Sequence, residues 1–362
     1  LGFTTGVAND RGSVLFSGGY YGQLPVWAGD RSFSRYDRGT VYYDWSNRTS
    51  IPGGSTATPT GYFGRASGTG NALWEQLKAE NPSAKVYTYD RGSFRPFSTA
   101  GVNDAGGDLY NYQPENYLTT PLQRLNLFST GTVKIIGSIK GYYEAMFAHR
   151  ESDQKLAPEP VFFGASEGIT VSGQSVYNPL GVDFNDARVR MKGLGNRNFM
   201  QDLDTFRIVT GFRGEIPLLK AWTWDISLNY GRTQGVQNKE GLLQRSKVAA
   251  AVGASFLDEN NVARCGTDKD NVIEGCVPLN IFGGPGVIND DMKKYLSYKG
   301  AQYGFNQQII LEALTSAGIA KVGNAASEIG LAAGYVHRRE AGASIPDPLT
   351  AKGDTTGNKG EA

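Results

Sequence analysis

The feature that most constrains this chain is a strict alternation of apolar and polar side chains along several segments. In residues 221–232 every second side chain is apolar: Trp222, Trp224, Ile226, Leu228 and Tyr230. The side chains between them are small or polar: Thr223, Asp225, Ser227, Asn229 and Gly231. This period predicts a β-strand with one apolar face, about as long as a tilted strand that crosses a membrane, which takes ~9–11 residues.

The same pattern recurs in pairs of segments that are joined by short turns. Residues 206–216 precede the segment at 221–232, and the link around 217–220 is short. Three more pairs follow this scheme: 2–8 with 13–27 around the turn at 9–12, 124–135 with 141–151 around Gly137 and Ser138, and 307–319 with 329–339 around Gly323 and Asn324. The sequence therefore predicts four hairpins, or about eight strands.

The segments between the hairpins are long and polar. They cover residues 28–120, 152–198 and 240–305, well beyond the ~12–15 residues at which a loop becomes uncommon in a compact domain. Short helices are predicted at 72–80 and near 290–295. Short turns at one end of the strands and long loops at the other are typical of bacterial outer-membrane barrels, with the turns in the periplasm and the loops outside the cell.

We therefore predict an all-β fold, an antiparallel transmembrane β-barrel of which about eight strands are present, in the outer membrane of a Gram-negative bacterium. The alternative is a soluble β-sandwich with insertions, although sandwich strands are usually shorter, about 5–6 residues. The mean hydropathy of −0.36 is compatible with a barrel, because polar side chains that face the lumen offset the apolar ones that face lipid.

Composition and motifs exclude several other classes of function. The 36 Lys and Arg residues nearly balance the 35 Asp and Glu residues, so bulk charge predicts no nucleic-acid partner. The two histidines, His149 and His337, form no Ser-His-Asp or Cys-His arrangement with neighbouring residues. We expect no catalytic residue, no metal and no cofactor, and hence not an enzyme.

The only cysteines, Cys265 and Cys276, enclose a short polar loop. An even pair at this spacing predicts a disulfide formed in an oxidising compartment. Two free thiols are the alternative. A metal site is disfavoured because two cysteines with no nearby histidine cannot complete a tetrahedral ligand set.

Aromatic side chains fall into two groups. Those near strand ends predict an aromatic girdle in contact with outer-membrane lipid, with ligand stacking as the alternative: Tyr20, Tyr21, Tyr143, Trp222, Trp224, Tyr230 and Tyr335. Others lie with arginines in the first long loop and predict a sugar- or chelate-binding surface: Tyr42, Tyr43, Trp45, Tyr62, Tyr110, Tyr112, Arg35 and Arg38. These loop residues could equally pack the loops against one another, and the sequence does not choose between the two.

Four phrases in sequence order resemble the barrel region of proteobacterial TonB-dependent receptors. They are residues 25–31 (PVWAGDR), 110–128 (YNYQPENYLTTPLQRLNLF), 276–284 (CVPLNIFGG), and 330–340 (GLAAGYVHRRE) followed by 346–349 and 353–358. The resemblance spans nearly the whole chain. It implies a barrel of about 22 strands closed around an N-terminal plug, of which this chain would hold roughly a third, without the plug, the TonB box or the last strand.

The resemblance also implies a function. Such receptors bind a scarce substrate, which can be a ferric siderophore, cobalamin or an oligosaccharide, at their extracellular loops. They import it with energy supplied by the TonB complex, which acts through the plug region. The alternatives are a passive, porin-like channel and a secreted all-β carbohydrate-binding or adhesin module.

Overall fold

The computed structural model describes residues 1–37, 43–44, 49–50, 53–102, 106–164, 166–217, 219, 222–321, 323 and 328–357. In chain order the strands are β1 (Gly2–Asn9), β2 (Gly12–Gln23), β3 (Val26–Trp27), β4 (Tyr43–Asp44), β5 (Thr49–Ser50), β6 (Tyr62–Ser67), β7 (Val86–Asp90), β8 (Ser93–Pro96), β9 (Tyr117–Thr119), β10 (Leu122–Ile136), β11 (Ile139–Leu156), β12 (Pro160–Phe162), β13 (Asp183–Arg190), β14 (Arg197–Glu215), β15 (Trp222–Leu243), β16 (Ser255–Leu257), β17 (Ala263–Cys265), β18 (Ser297–Lys321) and β19 (Glu328–Pro346).

Helices are short and few. The α-helices are α1 (Ala72–Glu80), α2 (Arg245–Ala251), α3 (Asp290–Leu296) and α4 (Pro348–Ala351), and 3-10 turns occur at Ala28–Asp30, Gln113–Glu115, Lys192–Leu194 and Pro285–Val287. The predicted helix at 72–80 matches α1, and the one near 290–295 matches α3. Within the described part of the chain, none of the helices combines the length and the apolar character needed to span a membrane.

The predicted hairpins form one antiparallel sheet. Its eight strands are ordered β1-β2-β10-β11-β14-β15-β18-β19, so the all-β class and the four hairpins are confirmed. Short connections join the strands of each pair, and at the first turn Asn9 Oδ1 accepts hydrogen bonds from the backbone N–H groups of Arg11 and Gly12. The edge strands β1 and β19 do not pair with each other among the described residues.

The apolar face of this sheet is exposed. Directly paired residues share a face, and one such row across the strands contains Val14, Gly131, Tyr143, Thr210, Leu228, Leu311 and His337. Within the row, Val14 is 47 % exposed and Leu228 is 46 % exposed. The alternation predicted from the sequence is thus present, but its apolar side chains do not cover a core.

The opposite face is polar and internally hydrogen-bonded. The Tyr142 hydroxyl donates to Asp225 Oδ1 at 2.6 Å, and the hydroxyls of Thr205 and Thr233 lie 2.9 Å apart. Ser227, between Ile226 and Leu228, is only 9 % exposed. The polar side chains are therefore more shielded than the apolar ones, which is the reverse of a soluble sheet.

The strands extend beyond the apolar rows. β15 has 22 residues and β18 has 25, about twice the length needed to cross a bilayer as a tilted strand. Farther from the short turns, the face that carried Leu228 continues across β11, β14 and β15 with His149, Asp204 and Gln234. The strands predicted at 206–216 and 307–319 were too short because these extensions lack the apolar alternation.

The three long segments are not separate loops. Together with residues 347–357 they fold into one body, which we call the cap (described residues within 28–121, 157–196, 244–296 and 347–357). It contains α1 to α4 and a five-stranded antiparallel sheet ordered β12-β13-β6-β7-β8. The sequence did not predict this body.

The cap has a conventional hydrophobic core to which each long segment contributes. Phe63, Phe184 and Phe282 come from the first, second and third segment. The ring of Phe63 stacks on Phe282 with centroids 4.7 Å apart and lies 5.4 Å from the ring of Phe184. Burial of these large rings stabilises the cap and makes the three segments one folding unit.

Candidate functional site

Of the eight residues predicted to form a binding surface in the first long loop, the structure describes the side chains of four. Arg38, Tyr42 and Trp45 lie outside the described residues, and of Tyr43 only the backbone is described, in β4. The remaining four are in the cap: Arg35, Tyr62, Tyr110 and Tyr112.

Tyr110 and Tyr112 pack against a buried arginine. Both Tyr110 and Arg190 are 4 % exposed, and the Arg190 guanidinium carbon lies 5.4 Å from the Tyr110 ring centroid and 5.8 Å from that of Tyr112. The Tyr112 hydroxyl donates to Asp37 Oδ2 at 2.5 Å. Burial lowers the pKa of Arg190 to about 10 and raises the pKa values of both tyrosines. The two tyrosines therefore hold chain segments together, the alternative that the sequence left open.

Arg35 lies in the same region, but its side chain is exposed. Its backbone carbonyl accepts a hydrogen bond from Asn111 Nδ2 at 3.1 Å, which ties the segment after the first hairpin to the segment around Tyr112. Three of the predicted residues, Arg35, Tyr110 and Tyr112, are thus brought together.

A buried acid lies on the other side of Arg190. Glu159 is 4 % exposed, and Arg197 Nη1 lies 3.4 Å from its Oε2. Burial raises the pKa of Glu159 to about 7, against the opposing effects of Arg197 and Arg190. The neighbouring Glu167 accepts the Gly357 N–H at 2.9 Å. This cluster joins segments that are distant in sequence.

Tyr62 lies apart from these residues, in a groove of the cap with a volume of about 850 Å³. The groove lies between β6, the C-terminal end of α1 and the start of β7. Its lining includes four cations, four aromatic rings and one carboxylate: Arg65, Lys78, Lys85, Arg188, Tyr62, Phe63, Trp74, Tyr87 and Asp186. This volume is in the range of small-molecule sites, ~300–1,000 Å³.

Arg188 is fixed in this groove. Its Nε and Nη2 atoms donate to the two carboxylate oxygens of Asp186 at 2.9 and 3.0 Å, and Nη1 donates to Thr56 Oγ1 at 2.9 Å. The guanidinium stacks on the Tyr62 ring, 4.3 Å from its centroid. Arg188 therefore orients the ring of Tyr62.

Arg65 differs from Arg188 in its backbone conformation. It lies in β6 opposite Asn185 of β13, in a ladder that keeps the same register on both sides: Gly64 pairs with Asp186 and Ala66 with Phe184. Its φ angle is 49°, a left-handed conformation that is unfavourable for a non-glycine residue. Backbone strain of this kind is found often at functional sites.

Two of the groove cations have no partner among the residues that the structure describes. Arg65 and Lys85, which are both exposed, make neither an ion pair nor a side-chain hydrogen bond there, whereas Lys78 lies 3.4 Å from Glu75 and Arg188 is bound to Asp186. The groove thus offers unneutralised positive charge beside aromatic rings.

The sequence did not identify Lys78, Lys85, Trp74 or Arg188 as groove residues. A signal was present for Arg188: in β13 the charged residues Asp186, Arg188 and Arg190 alternate with Ala187 and Val189. That period identifies a strand inside a segment that was predicted to be a loop.

The predicted girdle residues do not all lie at the edges of the apolar face. Trp222 and Trp224 are at the short-turn end of β15, and Tyr20 is near the opposite end of β2. Tyr143 and Tyr230 fall in the middle rows, paired with Thr210 and Ile208. Tyr335 pairs with Ala313 on the same face, and it is 62 % exposed.

Tyr21 departs from the prediction. It pairs with Arg124 in the row of the polar face, and the Arg124 guanidinium lies 6.0 Å from its ring centroid. Since side chains alternate along a strand, Tyr20 and Tyr21 cannot share the apolar face.

One group of potential metal ligands occurs in the described part of the chain, although the sequence predicted no metal. His149, Asp202 and Asp204 each offer an atom, and these atoms lie within 4.8 Å of one another. His149 Nδ1 is 2.9 Å from Asp204 Oδ1 and 3.6 Å from Asp202 Oδ1. A histidine hydrogen-bonded to neighbouring carboxylates accounts for this geometry without an ion.

The predicted disulfide is confirmed. Cys265 and Cys276 are bonded, with their Cα atoms 5.9 Å apart, and Cys265 is buried. The bond closes the loop that follows β17, on the surface of the cap.

No protein-family model, no curated protein and no solved structure matches this chain.

Proposed function

We propose that this chain is part of an outer-membrane receptor that binds a scarce solute at the cap and admits it to the periplasm. The observation that carries this proposal is the reversed amphipathicity of the eight-stranded sheet, with an exposed apolar face and a hydrogen-bonded polar face. A barrel wall in a bilayer needs this arrangement, because lipid contacts the outer face and water contacts the inner one.

The distribution of the connections supports the same orientation. The short connections within the four hairpins lie at one end of the strands, and the segments that form the cap leave from the other end. In outer-membrane barrels the short turns are periplasmic, which puts the cap outside the cell. The polar rows that contain His149 and Asp204 then lie beyond the hydrocarbon, between lipid and cap.

The proposed function requires that the two edge strands of the sheet, β1 and β19, be paired. Unpaired backbone N–H and C=O groups are costly in hydrocarbon, so β1 and β19 need further strands that close the wall. The resemblance to TonB-dependent receptors supplies such a context: a larger barrel, a plug, and import driven by the TonB complex. A siderophore, cobalamin or an oligosaccharide remains the proposed range of substrates.

The membrane part of the proposal is tested by lipid contact at adjacent residues of β15. The variants Leu228→Cys and Asn229→Cys, each labelled with a fluorophore, are reconstituted in vesicles that contain brominated lipid. We expect strong quenching at position 228 and weak quenching at 229, because the two side chains lie on opposite faces. Equal quenching at both positions would contradict the proposed wall.

Two further measurements separate the alternative functions. A protein that stays monomeric without detergent would be a secreted binding module, since an exposed apolar face of this size aggregates in water. Large, steady conductance in a planar bilayer would indicate a passive channel, whereas a gated receptor is nearly silent.

A further inference from the structure

The groove of the cap combines features that the proposed receptor function does not by itself require. Four cations line it against one carboxylate, and Asp186, that carboxylate, is already bound by Arg188. The remaining positive charge of Arg65 and Lys85 is not neutralised by the described residues. A negatively charged ligand would neutralise the charges of Arg65 and Lys85.

The backbone conformation of Arg65 also supports a binding role for this residue. An arginine in the left-handed region costs stability that glycine would not cost at the same φ. Gly61 and Gly68, close in sequence, adopt such angles as glycines. At Arg65 the chain retains a charged side chain in this conformation, beside the groove.

The aromatic rings define the second property of the ligand. Tyr62 is half-buried and held by Arg188 on one face, and Trp74 is nearly buried with Lys78 Nζ 5.7 Å from its centroid. Fixed aromatic surfaces next to cations favour flat or ring-bearing groups that carry acidic substituents.

We propose that the groove lined by Tyr62, Arg65, Lys85 and Arg188 binds a multivalent, ring-bearing anion, with carboxylate or phosphate groups at Arg65 and Lys85 and the ring against Tyr62. This assignment rests on the proposed function in one respect: it takes this anion to be the solute that the receptor collects. Binding itself requires only the folded cap, so it is measured independently of lipid and of transport.

The probe is trimesate, a benzene ring that carries three carboxylates, titrated by calorimetry into the full-length protein in neutral detergent. Citrate carries the charge without the ring, and benzamide carries the ring without the charge. We expect trimesate to bind most tightly, citrate more weakly, and benzamide not at all. Equal binding of benzamide and trimesate would overturn the assignment.

The chain provides a matched pair of variants. Arg65 and Arg91 have φ angles of 49° and 50°, and Arg91 lies in an exposed turn outside the groove. Arg65→Gly and Arg91→Gly remove the same charge and relieve the same backbone conformation. Both should raise the melting temperature of the cap, whereas only Arg65→Gly should weaken trimesate binding, by roughly tenfold for a lost charge-assisted contact.

Lys85→Gln provides a second test that does not change the backbone. Lys85 has no partner to lose, so we expect unchanged melting and a similar loss of affinity for trimesate. If Arg65→Gly and Arg91→Gly affect binding equally, or if Lys85→Gln leaves it unchanged, the groove is not the anion site. Lipid quenching at Leu228 is unaffected by any of these results, so failure here is distinct from failure of the receptor proposal.

Discussion

The ring of Tyr143 on β11 packs directly over Gly131 on β10. A Cβ atom at position 131 would lie 2.5 Å from Tyr143 Cε1 and 3.1 Å from the backbone oxygen of Ser13. The tyrosine hydroxyl lies 2.9 Å from Ser129 Oγ. Because Gly131 has no side chain, the ring of Tyr143 can lie flat on the backbone of β10 and cover it.

We expect Gly131→Ala to destabilise the sheet by about 1–3 kcal/mol, the usual cost of overpacking a fitted site. Gly231→Ala on β15 is the control, because the nearest atoms to its Cβ would be 3.8 Å away. Urea titrations of the protein folded into vesicles measure both. Similar losses of free energy of unfolding would show that the effect comes from the strand backbone and not from the ring.

A charge placed on the apolar face should prevent stable insertion. We expect Leu228→Arg to cost about 2–4 kcal/mol in a bilayer, the range for a cation near the midplane. Asn126→Arg adds the same charge on the polar face and should cost little. Folding free energies in lipid vesicles compare the two, and equal tolerance would mean that the two faces are wrongly assigned.

Loss of the disulfide should loosen one part of the cap. Replacement of Cys265 and Cys276 by serine opens a loop with a sequence separation of 11, which corresponds to about 3 kcal/mol in the chain-entropy description. Because the hydrophobic core of the cap lies elsewhere, we expect proteolysis and rapid hydrogen exchange at residues 266–275 only. Protection lost throughout the eight-stranded sheet would contradict this local role.

The stability of the cap should fall as pH rises from about 4.5 to about 7. Burial raises the pKa of Glu159 to about 7 from its ordinary value of 4.5, so the folded state binds this proton more tightly than the unfolded state does. The charged groups that face it are Arg197, Arg190 and Glu167. The contribution is present in full below the unfolded pKa and is lost by about pH 7, with a maximum of about 3 kcal/mol.

Glu159→Gln tests this pH dependence, because glutamine keeps the shape and remains neutral. We expect the variant to show a flat profile through this window and to be the more stable protein at pH 8. Hydrogen exchange of amides in the cap core is the measurement, and the exposed Glu75→Gln is the control. A variant less stable than the parent at pH 8 would mean that the Arg197 ion pair outweighs the cost of burial.

The hairpins were predictable because each strand has one apolar and one polar face, so its side chains alternate along the sequence. Residues such as Leu228 and Ile226 repeat with the period of the strand, and turn residues such as Asn9 mark where it reverses. The strand ends were not predictable. Beyond the apolar rows the strands carry mainly polar side chains, and residues such as Gln234 and Asp204 show no alternation that distinguishes a strand from a loop.

The cap and its groove could not be predicted from the sequence for a different reason. Phe63, Phe184 and Phe282 look like isolated apolar residues in polar segments, and only the packing of the cap core brings them together. The groove is lined by side chains of β6, α1, β7 and β13, and no local period brings these segments together. Tyr62 was identified by residue type alone, whereas its partner Arg188 comes from another segment.

The shared core of the cap has a consequence for how such a surface can diversify. If the outward segments were independent loops, each could be exchanged or redesigned alone. Here the stacked rings of Phe63 and Phe282 require segments that enter the cap from different hairpins. A change of recognition at one segment is therefore coupled to the packing of the others, so we expect changes in one segment to require compensating changes in the rest of the cap.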